Sequence, residues 1–134
     1  VADLDDRWLV DGGLALLRAD AGLTVYPDAE GVVPAVPVAP YVRVYGAVSR
    51  PPGTHNALDG RSALCVVRWW CHCIGANEDA ALAVAMRVRA ALLDQWVHGD
   101  LVREDVADRP PMRDESLGAS VYDAPRVYRL ETYL

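Results

Sequence analysis

Apolar side chains recur along this chain in two rhythms, and the change from one to the other falls at Gly75. Upstream, residues 61–74 read Arg-Ser-Ala-Leu-Cys-Val-Val-Arg-Trp-Trp-Cys-His-Cys-Ile. In an extended chain successive side chains point to opposite faces. Ala63, Cys65, Val67, Trp69, Cys71 and Cys73 therefore share one face, and Leu64, Val66, Arg68, Trp70, His72 and Ile74 the other. Both sets are largely apolar. A sheet with helices on one side only carries a polar outer face, so the pattern predicts that the second face is covered as well, by a second helix or by another copy of the chain. Downstream, Asn77 is a good helix N-cap, and Glu78 and Asp79 suit the positive end of the helix dipole. Ala81, Val84, Ala85, Val88, Leu92 and Trp96 then recur at helical spacing, with Leu82, Met86, Leu93 and Val97 widening the stripe and Arg87 and Asp94 lying off it. This predicts a helix to about Val97, stopped by Gly99.

The same reading extends to both ends. Asp3–Asp20 predicts a helix capped by Asp3, with Asp5 and Asp6 in its first turn and Trp8, Leu9, Leu14, Leu16 and Leu17 on its apolar side. Gly12-Gly13 weakens its middle by about 1 kcal/mol per glycine relative to alanine, so tertiary packing has to hold it. A short strand, Leu23–Tyr26, closes at Pro27, and the prolines at 34, 37 and 40 make residues 28–40 an extended connector. Tyr41–Val48 predicts a strand with Tyr41, Arg43 and Tyr45 on one side and Val42, Val44 and Val48 on the other. Residues 49–60 form a loop longer than the usual hairpin connection. Leu101–Val106 can add a strand, residues 107–125 are charged and turn-rich, and Arg126–Leu134 predicts a last strand with one wet face. The expected fold is α+β: an antiparallel or mixed sheet of about four strands packed against two helices, in a single domain over residues 1–134.

The bulk numbers narrow the function. A chain of 134 residues buries roughly two thirds of its unfolded surface as one domain. No run approaches the ~20 apolar residues of a membrane span, and no charged-then-apolar leader opens the sequence, so the expectation is a soluble chain. A net charge of −6 argues against gripping nucleic acid, which requires phosphate neutralisation. All 13 basic residues are arginine, which resembles codon usage in a GC-rich genome. The three cysteines sit on one strand face, where a disulfide framework would not place them, and a reducing compartment is the simpler assumption.

Candidate chemistry is thin. Cys71 and Cys73, with Cys65, offer part of a zinc ligand set, but His72 faces away and no second ligand pair exists. Buried apolar cysteine is the plainer reading. A Cys/His nucleophile pair drawn from Cys65 or Cys73 with His55 or His98 is conceivable, although His98 at a helix C-terminus reads as a cap and His55 as a loop residue. No acid/base dyad and no phosphate-binding glycine loop is present. Trp69 and Trp70 have apolar neighbours, which favours core or interface over base stacking. No catalytic residue, cofactor or metal is therefore expected.

The order of elements adds a resemblance. Leu14-Ala-Leu-Leu-Arg-Ala-Asp-Ala-Gly-Leu-Thr-Val-Tyr-Pro27, Pro40-Tyr-Val-Arg-Val44 and Arg61–Leu93 together span most of the chain. In this order they resemble the tail terminator, or tail completion, proteins of long-tailed bacteriophages, including minor tail proteins of actinobacterial phages. The resemblance implies a non-enzymatic virion protein in the tail or neck, assembled in the host cytoplasm. Its homohexameric ring would cap the head-proximal end of the tail tube, stop tube growth and offer a surface to the head-completion (stopper) protein, with DNA passing through the lumen without specific binding and no membrane involved. Another neck or tail-tube protein shares much of this layout. A thiol- or metal-dependent enzyme built on Cys71, Cys73 and His98, and a small dimeric ferredoxin-like binding module, are the alternatives. Contact residues follow from loop length and composition rather than from a motif. They are Arg50, His55, Asn56 and Arg61 around the long loop, Trp69 and Trp70 on the strand, and Arg109, Arg113, Asp114 and Glu115 in the charged loop.

Overall fold

The computed structural model describes residues 2–27, 38–50, 64–105, 109–115 and 121–133, with side chains from residue 6 onward. Two helices, α1 (Ala2–Arg18) and α2 (Glu78–Leu92), accompany a mixed sheet built on three long strands, β2 (Tyr41–Ser49), β3 (Leu64–Gly75) and β8 (Val121–Tyr133). Short strands complete it. β1 (Val25–Pro27) runs parallel to β2, while β6 (Arg103–Glu104) and β7 (Met112–Asp114) both pair with the outer side of β8. The order is β1-β2-β3-β8-β6, with β7 also on β8. Among the described residues the α+β layout is as expected, with six strands in place of about four. Within the strand expected over Leu101–Val106 lies the two-residue β6, and β7 is too short for periodicity to announce it. No described helix is long and apolar enough to cross a membrane.

β3 is the middle of the sheet because both of its edges are fully used. Its partners are β2 from Tyr41↔Ile74 to Ser49↔Val66 and β8 from Leu64↔Tyr133 to Gly75↔Tyr122. Both helices cover the same face. Leu9, Leu14 and Leu17 of α1 and Ala81, Val84, Ala85, Val88 and Leu92 of α2 bury against Val42, Val44, Cys65, Val67, Trp69, Cys71, Cys73, Ala124, Tyr128 and Leu130. α1 is thus not the cover for the second face that the alternation of β3 called for.

The glycines explain how α1 comes so close. Trp69 is wholly buried, and its indole Nε1 donates to the Val10 carbonyl in the middle of α1 at 3.0 Å. A Cβ on Gly13 would lie 2.3 Å from that indole, and one on Gly46, the cross-strand partner of Trp69, would lie 2.4 Å from Val10. The Gly12-Gly13 pair that lowers helix propensity is therefore the notch that admits the indole.

α2 begins as expected, with the Asn77 side chain accepting from the Ala80 amide at 2.8 Å. It ends earlier than expected, at Leu92 rather than near Val97. Asp94 takes a left-handed φ of 59° and turns the chain out of the helix, and β4 (Trp96–Val97) then pairs with β5 (Asp100–Leu101) across His98 and Gly99 at φ 51° and 87°. Two consecutive positive φ values are the tight hairpin geometry that matches strand twist, and glycine at the second position suits it. The helical spacing of Trp96 is coincidental, and its ring is 68% exposed. Gly99 ends a hairpin turn, not a helix. His98 is no helix cap: its ring stacks on Trp8 with centroids 3.6 Å apart, and its Nε2 lies 3.1 Å from the Trp8 carbonyl. The last strand is also longer than expected, because β8 runs through Pro125. That proline falls between the stretches that pair with β7 and with β6.

A surface lock joins α2 to the turn that follows α1. Arg87 of α2 donates to both Asp20 oxygens at 3.0 and 2.7 Å, and the Gly22 amide donates to the same carboxylate at 3.0 Å. The Arg87 hydrogen bond, then that of Gly22, holds the Asp20 carboxyl below its ordinary value of 3.8. The folded chain thus gives up this proton more readily than the unfolded one. The resulting stabilisation is complete above the ordinary carboxylate value and disappears as pH falls through the lower folded value. Asp20→Asn should be less stable than the parent at neutral pH, and the two should converge in strongly acidic solution when unfolding is followed against pH. At the notch, Gly13→Ala should lower stability by about 1–3 kcal/mol through overpacking. That loss outweighs the ~1 kcal/mol that alanine gains in helix propensity; denaturant unfolding checks it, and a more stable variant would refute the notch.

Candidate functional site

The face of the sheet away from both helices is the candidate site. Register places its side chains in rows across the strands. Tyr41, Ile74, Asp123 and Met112 form one row; Arg43, His72 and Pro125 the next; then Tyr45, Trp70 and Val127; then Ala47, Arg68, Arg129 and Arg103. Tyr41 and Ile74 bury with Val121 against Tyr26 and Ala39, so that corner is closed by the chain itself. Further along, Tyr45 is 53% exposed and Trp70 half-buried, their rings 5.7 Å apart and inclined at 48°. Among the described residues no helix covers them.

This face is less apolar than the alternation of β3 alone suggested. Arg68 and Arg129 stand directly opposite each other, an arrangement that costs energy unless an anion intervenes. Asp105 intervenes, accepting from Arg68 Nε at 2.8 Å and lying 3.6 Å from Arg129. Arg129 also approaches Glu131 at 3.5 Å. Arg103 extends the row on β6, and no ion pair engages it among the described residues. A cleft of about 520 Å³ opens beside it, lined by Trp96, Asp100, Leu101, Arg103, Arg129 and Glu131. Two rows away, beyond Tyr45 and Trp70, His72 Nδ1 lies 2.8 Å from Asp123 Oδ2.

The expected contact residues fall into four places. Trp70 lies on the open face. Trp69 is in the core, where its neighbours are α1 and not solvent. Arg50 follows β2 and pairs with Asp6 of α1. The charged-loop residues gather around β7: Arg113 pairs with Glu115 at 2.9 Å, Asp114 sits opposite Val121, and the Arg109 carbonyl accepts from the buried Arg126 at 3.0 Å. His55, Asn56 and Arg61 lie outside the described residues. The residues that reading by loop length overlooked are Tyr45, Arg43, Arg68, Arg103 and Arg129. Alternation puts Tyr45 with Arg43 on β2 and Arg68 with Trp70 on β3, but only register brings the two strands' sets onto one face and Arg129 and Arg103 into line with Arg68.

The thiols lie on the opposite, helix-covered face. All three cysteines are free and buried. Burial pushes the Cys71 thiol well up, and it raises Cys73 to about 12 against the weaker pull of Arg126. Protonated, water-excluded thiols are poor nucleophiles and poor metal ligands. Among the described residues no cluster of His, Cys, Asp and Glu is arranged to hold a metal ion. Tyr128, whose hydroxyl has no hydrogen-bond partner among the described residues, is likewise pushed up by burial. No protein-family model matches the chain, and no curated protein matches it. In the native protein at pH 8, Cys71 and Cys73 should resist a thiol reagent and react only on unfolding; rapid native labelling of either would contradict the burial.

Proposed function

We propose that the chain is a structural ring subunit of the tail terminator type, which caps the head-proximal end of a phage tail tube, halts tube growth and joins the tail to the head connector. The observation that carries this reading is the one-sided layering: two helices on one face, and an aromatic pair beside an arginine row on the other. An exposed Tyr–Trp pair next to partly neutralised arginines is the composition of a protein interface, where aromatic residues and arginine are enriched. The order of elements along the chain supports the same assignment. In this reading subunits cover the open face of one another, and the 49–60 arm and the 107–125 loop, which contains β7, meet the last tube ring and the connector. The acidic balance of the whole chain suits a lumen along which DNA slides.

Loss of the protein should yield tubes of uncontrolled length without heads, visible by electron microscopy. Changing Arg50 and Arg61 together to Ala should cut the yield of infectious particles. The monomer's stability should stay within about 1 kcal/mol, because an exposed ion pair such as Arg50–Asp6 contributes little. Normal particle assembly with both arginines replaced would overturn the assignment of the arm.

A further inference from the structure

We propose that the open face is covered by helix α2 of a second copy, so that subunits join head to tail through two different surfaces. The proposal takes from the ring reading only the identity of the partner as another copy of this chain.

The outward side of α2 is unusual for a surface helix. Leu82 and Met86, four residues apart and therefore on one side, are 38% and 72% exposed, and Ala83 and Ala90 flank them. The helix's charges are used unevenly. Arg87 is engaged by Asp20 and Arg89 by Glu104, whereas no ion pair occupies Glu78 or Asp79 in the first turn among the described residues. The surface α2 presents outward is thus apolar in its middle, negative at its N-terminal end, and carries the ion-paired Arg87 and Arg89 toward its other end.

The open face carries the complement. The chain has a net charge of −6, yet this face sets Arg43, Arg68, Arg103, Arg129 and His72 against Asp105, Asp123 and Glu131. Its arginine row lies two residues along β3 from the Tyr45–Trp70 row, about 7 Å away at the strand rise. On α2, the midpoint of Leu82 and Met86 lies five residues beyond Asp79, about 7.5 Å at the helical rise. A neighbouring α2 laid along β3 from Arg68 toward His72 therefore puts its acidic turn over Arg68 and Arg129, on adjacent strands, while Leu82 and Met86 cover Tyr45 and Trp70. This is the helix-on-sheet layering that the fold already uses on its other side. Because the two surfaces differ, the contact is heterologous, and repeating it yields a closed ring or an open filament.

Cysteine pairing tests the geometry, since Tyr45 and Met86 are exposed and the three native thiols are buried. Tyr45→Cys protein mixed with Met86→Cys protein at high concentration under mild oxidation should give a mixed disulfide, and a chain carrying both changes should give a ladder of linked subunits. Arg129→Glu should weaken association about tenfold or more, and Asp79→Arg added to it should recover most of the loss. Disulfides only between Tyr45→Cys chains would show two sheets face to face and overturn the proposal while leaving a ring protein possible. Absence of any cross-link, with a monomer throughout, would overturn it outright. Tail capping that survives Met86→Asp would remove this contact without touching the terminator assignment.

Discussion

The packing of Trp69 beneath α1 is the constraint on which the rest of the fold depends. One of the two tryptophans of the central strand lies under a helix that has no side chain where the indole needs room, and its N–H finds a carbonyl in that helix. Without that bond the indole nitrogen would be a buried donor lacking a partner, at a cost of about 1–3 kcal/mol. The contact fixes α1 on the face that α2 also covers. Its tolerances extend outward, with Gly46 opposite Trp69 making space for Val10, and Gly12 making space for Val97 and His98 of the hairpin that follows α2. Three segments distant in sequence are thereby brought together at one point.

Once both helices are committed to one face, the other face is left to the sheet's own side chains. Its charged groups are arranged in relation to one another: Asp105 separates two arginines that the register sets opposite each other, and His72 meets Asp123 across adjacent strands. The aromatic pair Tyr45–Trp70 lies between these polar rows. A face of this kind is wet enough for a free subunit to remain dispersed, and apolar enough at its centre to gain from a partner. The proposed partner surface, the outer side of α2, offers apolar Leu82 and Met86 beside the acids Glu78 and Asp79 of its first turn.

Much of this was legible in the sequence. The period-two alternation from Leu64 to Ile74, the Asn77 cap and the stripe Ala81–Val84–Ala85–Val88–Leu92 each follow from local geometry, and each is present. The end of α2 was not legible. Trp96 continues the helical period by chance, and the reversal depends on Asp94, His98 and Gly99 adopting left-handed backbone that neither aspartate nor histidine announces. β7, three residues long, pairs with β8 without any local signal, and β6 keeps two residues of the strand expected over Leu101–Val106.

By itself the sequence determined which residues of a strand share a face and where α2 begins, because these depend on spacings of a few residues; α1 starts ahead of Asp3, its expected cap. Only the tertiary structure decided that both helices lie on one face, that Trp69 is core while Trp70 faces outward, and that Arg68, Arg103 and Arg129 form a row. Those outcomes depend on strand register and on the gap left by glycines far from Trp69 in the chain. Periodicity assigns a side chain to a face, but it does not say what lies across from it.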